Sequence, residues 1–203
     1  MTSAIDNTKP VAGNPTTASV RANFTAARDE ISALQLRNAQ IGFMDYADTA
    51  TTTTPIAIAG TSTFVDMTNN GLGVTTNKTY KPPTVGEIWN TSTNRLDFVG
   101  NLEPGDMVDV RLDFTVTTTS VNQTINVSLF LQVGTGSEFE LPFVSSKQFK
   151  TVGSYRITEY IGFYIGSATT RDNPGRFRIK SDAAATCVIN GFYFKMDLVG
   201  AHT

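Results

Sequence analysis

Asp109, Arg111 and Asp113 occupy alternate positions of the run GDMVDVRLDFTVTTT, which puts their side chains on one face of a strand. Carboxylates at that spacing lie about 7 Å apart at their Cα atoms, close enough for acid/base work of the glycosidase kind. The intervening arginine argues for another use: it pairs with both carboxylates or with the neighbouring strand, giving a solvated charge ladder. Glu138 and Glu140 straddle Phe139 in the same manner and read the same way. Gly71-Leu72-Gly73 and Gly134-Thr135-Gly136 precede no helix, so neither is a phosphate cradle.

Histidine and cysteine chemistry is equally thin. His202 is the only histidine and stands one residue from the end, so a triad or zinc site would depend on that end. Cys187 is the only cysteine; it permits no intrachain disulfide and reads as a small apolar residue inside TCVINGFYF. We therefore expect no catalytic residue, no cofactor and no metal. Aromatic residues are the remaining candidates. Trp89, Tyr160 and Tyr164, with Tyr193, carry faces that stack on sugar rings, although packing in a core or interface is their commoner use. The Asn-X-Ser/Thr triplets at Asn77, Asn90, Asn122 and Asn126 are expected by chance from a Thr-rich composition.

The elements that must position these residues follow from composition and period. The chain has 203 residues, 40% hydrophobic and 17% charged, with a net charge of -2. That length suits one sizeable domain plus an appendage. No basic stripe exists to neutralise phosphates, which argues against nucleic acid, and no apolar run is long enough for membrane insertion. The opening MTSAIDNTKPVAG has neither the basic region nor the apolar core of a secretory signal, so synthesis in the cytoplasm without such export is expected. Residues 1–13 alone read as an extended peptide able to thread along another protein.

Residues 14–41 read as a helix. Val20, Phe24, Ala27, Ile31 and Leu34 are spaced 4, 3, 4, 3, a seam that extends through Asn38 to Ile41. A period averaging 3.5 stays aligned only when helices wrap around one another. Asn14 suits the N-cap, Pro15 the first helical position and Gly42 the stop. The seam is either an assembly device or the face by which one helix lies on its own domain.

Beyond a linker at 42–46, residues 47–203 read as strands. Val108, Val110, Leu112, Phe114 and Val116 alternate with polar residues, and Ile125, Val127, Leu129, Leu131 and Val133 repeat the pattern. From Cys187 to Leu198 both parities are apolar, so that strand is covered on both sides, by loops or, as favoured here, by a symmetry-related copy. The fold class expected is mainly β, an antiparallel jelly-roll-type sandwich behind an N-terminal helix.

The segment IDNTKPVAGNPTTASVRANFTAARDEISALQ resembles the N-terminal part of fibre-like structural proteins of tailed bacteriophages, marine and cyanobacterial ones included. GDMVDVRLDFTVTTTSVNQTINVSLFLQVGTG, with GFYIGSATTRDNPGRFRIKSDAAATCVINGFYF, is similar to β-domains that end some of them. The resemblance implies a homotrimeric component of the virion, assembled in the host cytoplasm. Residues 1–13 would dock on tail, baseplate or capsid proteins; Val20, Phe24, Ala27, Ile31, Leu34 and Ile41 would face the threefold axis. The outward β-domain would meet the host surface, a glycan included. The absence of a repetitive shaft keeps two alternatives open, a capsid decoration protein and a carbohydrate-binding module.

Overall fold

The computed structural model describes residues 16–38, 40–47, 51–68 and 74–199. The chain divides into two compact units, Met1–Gln40 and Ile41–Thr203. Asn14, Pro15 and the docking peptide 1–13 lie outside the described residues.

The first unit contains α1, Thr17–Asn38. At 1.5 Å per residue its 22 residues span about 33 Å. Thr16 caps it: its hydroxyl accepts from the Ser19 amide at 3.2 Å, satisfying one donor that the helix itself cannot pair. The seam residues Phe24, Ile31 and Leu34 are 73%, 55% and 57% exposed, and Val20 and Ala27 half-buried.

The helix does not reach Ile41, and residues 42–46 are not a linker. Both belong to β1, Ile41–Ala47, the first strand of the second unit. The period changes at Ile41 because Met44 and Tyr46 alternate into the core while the backbone pairs along its whole length with β12, Ala184–Asp197. Pairing to a strand distant in sequence satisfies the backbone groups along one whole edge of β1, which a further helical turn ending at Gly42 would not. Ile41 therefore leaves the helical seam. Gly42 does not stop the helix but permits close packing, because a Cβ there would press on the carbonyl of Tyr80 and come within 2.7 Å of the Pro82 ring.

The remaining elements are β2 Ile56–Ala59, β3 Val65–Asp66, β4 Val74–Asn77, β5 Trp89–Asn90, β6 Arg95–Leu96, β7 Met107–Thr118, β8 Gln123–Leu131, β9 Phe139–Phe149, β10 Ser154–Tyr164, α2 Ala168–Asp172 and β11 Arg176–Ser181. One sheet has the order β10-β7-β12-β1-β4, with β2 also on β12; the second has the order β3-β11-β8-β9. From β7 onward the chain changes sheet at β7–β8, β9–β10, β10–β11 and β11–β12, and its first main strand, β1, lies beside its last, β12. This is the strand order of a jelly roll, two Greek keys folded into a sandwich. The short helix α2, absent from the periodicity, sits in the β10–β11 connection.

Alternation on β7 and β8 fills the space between the sheets. Val108, Val110, Leu112, Phe114 and Val116 face Ile125, Val127, Leu129 and Leu131, all essentially without exposure. Tyr46, Trp89, Phe177, Phe192 and Phe194 form an aromatic cluster at 4.9–6.5 Å between ring centroids.

The two apolar parities of β12 have an internal cause. Its register against β7 shifts between Ile189 and Gly191, a bulge that leaves Asn190 as the extra residue. Ala185, Cys187 and Ile189 point inward before it, and Phe192, Phe194, Met196 and Leu198 after it. One face is apolar, with its phase broken once, so the pattern does not require a second copy of the chain. Buried Thr51 fills the ladder gap at the bulge, accepting from the Ile189 amide at 2.9 Å and donating to its carbonyl at 3.2 Å.

Candidate functional site

The outer face of the β10-β7-β12-β1 sheet gathers most of the residues whose types suggest chemistry. Register sets them in rows. Tyr160, Arg111, Tyr193 and Asp45 form one row across the four strands; Gly162, Asp109, Lys195 and Phe43 form the next. Tyr164, Met107, Asp197 and Ile41 form the third.

The charge ladder runs across strands rather than along β7. Asp113 accepts from Arg156 Nε at 3.0 Å and from Asn190 Nδ2 at 3.2 Å. Asp109 pairs with Lys195 at 3.3 Å. Arg111 bonds neither carboxylate; its guanidinium carbon lies 5.6 Å from the centre of the Tyr193 ring, and its buried Nε has no hydrogen-bond partner among the described residues. Lys195 stands directly across from Asp109, nearer than Arg111 two residues along the strand, and Arg156 reaches Asp113 from the diagonal position on β10. The Arg156 hydrogen bond holds the Asp113 carboxyl below its ordinary range, outweighing partial burial, with Asn190 adding to the effect. A carboxyl kept ionised in this way is a poor proton donor.

Glu138 and Glu140 also part company. Glu138 accepts from the Gly134 amide and from Arg178, both at 2.8 Å, and these bonds, the amide first, depress its pKa. Glu140 accepts from the buried Ser128 hydroxyl at 2.6 Å. Arg178 continues to Asp66, which also holds Arg176, so the second sheet carries its own cation–carboxylate network. Arg178 stands over Phe130 and Lys180 over Phe64, a surface whose sequence signal was the alternation of Arg176, Arg178 and Lys180 with Phe177 and Ile179.

Of the candidate sugar-stacking residues, Trp89 is placed elsewhere. It is 2% exposed in β5, stacked near Phe177 and edge-on to Phe192, and is a core residue. Packing in a core, the commoner use of such a ring, is its use here, with aromatic neighbours from other strands. Tyr160 and Tyr164 are on the outer face at 67% and 65% exposure, and half-buried Tyr193 joins them two strands away. A depression of about 270 Å³ opens between Tyr160 and Tyr193, with Asp109, Gly162 and Lys195 around it. A second cleft, of about 330 Å³, lies at the sandwich edge between Phe139 and Leu141 on β9 and Gly162 to Tyr164 on β10, reaching Ser167 and Thr170. Among the described residues no helix is long and apolar enough to cross a membrane.

No protein-family model matches the chain, and no curated protein matches its sequence. Similar solved structures include the tumour-necrosis-factor protein Eiger from S. frugiperda, at TM-score 0.44 and 8% identity over 80% of this chain and 96% of that one. The PRD1 vertex protein P5 is similar at TM-score 0.39 and 14% identity over 76% and 70%. A xylan-binding domain from Paenibacillus barcinonensis is similar at TM-score 0.39 and 13% identity over 78% and 97%. Structures of infectious bursal disease virus are also similar, and the chain spans 26% to 57% of theirs. Likeness at this level does not decide family or function.

Proposed function

We propose that this chain is a non-enzymatic structural protein of a tailed-phage virion, a short trimeric fibre. Residues 1–13 dock it on the particle, α1 joins three copies, and the jelly roll faces outward. The observation that carries this reading is the uncovered seam of α1: Phe24, Ile31 and Leu34 expose more than half of their surface on a helix ahead of a complete sandwich. A soluble helix with that seam is stabilised by meeting identical neighbours, each burying the other's apolar edge. The resemblance of residues 5–35 to phage fibre-like proteins supports the virion setting. The paired, ionised state of Asp113 supports a role other than acid/base catalysis.

Sedimentation tests the assembly. Phe24→Asp or Ile31→Asp should convert trimers into monomers while the β-rich circular dichroism changes little. A trimer surviving both substitutions moves the contact to the jelly roll. The number of copies per particle separates a fibre, at a few dozen or fewer, from a capsid decoration protein at hundreds.

A further inference from the structure

We propose that the free edge of the first sheet, along β10, takes up an extended strand of a partner protein. The strand runs antiparallel to β10, with a lysine or arginine opposite Glu159 and, four residues before it, a large apolar side chain in the cleft beside Phe163. Binding there goes beyond the fibre reading and does not depend on assembly through α1.

β10 ends the order of the first sheet, so one of its sides has no neighbouring strand. The register against β7 identifies the groups on that side. The Thr118 amide donates to the Gly153 carbonyl and the Ile165 amide to the Asp106 carbonyl, both at 2.9 Å, just beyond the two ends of the paired stretch. Odd-numbered residues of β10 therefore bond to β7. Alternation turns the N–H and C=O of Ser154, Arg156, Thr158, Tyr160, Gly162 and Tyr164 to the open side, where none has a backbone partner among the described residues. These groups repeat about every 7 Å, a spacing matched by another extended backbone.

The other ends of the two sheets are guarded. β9, the long edge of the second sheet, has two shifts of register, Pro142 and a positive φ at Ser146, while β3 and β4 have two and four residues. Bulges, proline and shortness all discourage strand addition. β10 has 11 residues in unbroken register.

The core is open along this side. Leu141 and Phe143 on β9 and Tyr155 and Ile161 on β10 are four of the six partly buried apolar residues packed against it. At the Tyr164 end of β10, Leu131, Phe139, Leu141 and Phe163 surround the cleft of about 330 Å³, and Phe139 is 39% exposed. The cleft's hydroxyls are already engaged: Ser167 accepts from the Thr170 amide, and Thr170 accepts from Gln132. A strand added to β10 places every second side chain between the sheets, and the one opposite Phe163 enters this cleft. An apolar side chain there covers surface that is now wet.

Glu159 sets the charge of the incoming strand. It stands opposite Leu112 on the core-facing parity of β10, half-buried, with Ile157 and Ile161 on either side. Among the described residues it has no hydrogen-bond or ion-pair partner, and Lys147, opposite Ile125 on β9, makes no ion pair with it. An inward charge on an edge strand deters indiscriminate pairing. Two copies of β10 set edge to edge would place Glu159 against itself or against an apolar side chain, which disfavours a second copy as the occupant. A strand with lysine or arginine at that position neutralises the carboxylate as it is buried, so the residue that rejects other strands selects this one. Every pairing in the first sheet is antiparallel, and in that sense the residue opposite Phe163 precedes the one opposite Glu159 by four. The segment recognised reads apolar, any, apolar, any, basic.

The test titrates the full chain with a blocked nine-residue peptide in which phenylalanine, valine, lysine and valine, in that order, alternate with threonine. Binding is read by anisotropy of the labelled peptide and by amide hydrogen exchange. Without peptide, the amides of Arg156, Thr158, Tyr160 and Gly162 should exchange quickly and those of Ile157, Glu159 and Ile161 slowly; the peptide should slow the first set. Glutamate in place of the peptide's lysine should weaken binding about tenfold, and Glu159→Lys should reverse that preference. Alanine in place of its phenylalanine should also weaken binding about tenfold. Thr158→Pro, whose lost N–H faces the open side, should abolish binding while the Trp89 fluorescence transition persists. The proposal is overturned if the lysine peptide leaves the first set of amides unprotected, or if the lysine and glutamate peptides bind alike. It is equally overturned if those amides are protected in the free chain in proportion to its concentration, which would mark the edge as a contact between copies.

Discussion

Replacing Gly42 by alanine tests where the helix ends and the sandwich begins. In β1 the position is fully buried, and an added Cβ would lie 2.7 and 2.8 Å from the Cδ and N of Pro82 and closer still to the Tyr80 carbonyl. Gly42 has no left-handed φ, so the demand for glycine is steric rather than conformational. The obstructing atoms are backbone and ring, fixed by the bond from the Phe43 amide to the same Tyr80 carbonyl at 3.0 Å and by the stacking of Phe43 on Tyr80 at 5.4 Å. Overpacking of that kind costs about 1–3 kcal/mol, which for a unit of this size lowers the melting temperature by about 2–12 °C. Trp89 is the only tryptophan and sits in the core, so its fluorescence reports melting of the sandwich alone. If Gly42 merely stopped the helix, Gly42→Ala would disturb the helical signal by about 1 kcal/mol or less and leave the tryptophan transition in place. An unmoved Trp89 transition would refute the placement of Gly42 in a packed strand.

Phe24→Ala should loosen the assembly rather than the sandwich. With 73% of Phe24 still available for burial, about 1–2 kcal/mol is lost per chain and about 3–6 kcal/mol per trimer, a drop of about a hundredfold to ten-thousandfold in the association constant, read from the concentration dependence of sedimentation. Thr51→Val keeps the shape but strands the amide and carbonyl of Ile189 at the bulge; a loss of about 2 kcal/mol or more is expected in urea unfolding. Asp113 has a folded pKa below its unfolded one, so its contribution is present above the unfolded value and lost as pH falls through the folded value. Arg156→Ala should therefore lower stability at neutral pH and flatten the acid-side fall, with the Asp113 carboxyl titrating higher by NMR.

Much of the fold was legible because it depends on local period. The alternation from Val108 to Val116 and from Ile125 to Leu131 identified two core strands, and both are fully buried on the expected parity. The seam from Val20 to Leu34 identified α1 for the same reason. Failures came where a distant partner decided. Ile41 has the right spacing to continue the seam, but β12 takes it into a strand. The apolar residues on both parities of β12 looked like two covered faces because a bulge at Asn190 is invisible to a two-residue period. Trp89 carries polar neighbours in sequence and aromatic ones in space. The outer face was less legible: Tyr160 and Tyr164 were named for their ring type alone, with packing as the commoner use, whereas their exposure, the pairing of Asp109 with Lys195 and the placing of Tyr193 two strands from Tyr160 required the register.

The mass of the intact chain in dilute solution bears most directly on the fibre account. Sedimentation equilibrium should give a species of three times 21.9 kDa, reduced to one copy by Phe24→Asp. A single 21.9 kDa species at every concentration would contradict it, because the apolar edge of α1 would then persist without a neighbour to cover it.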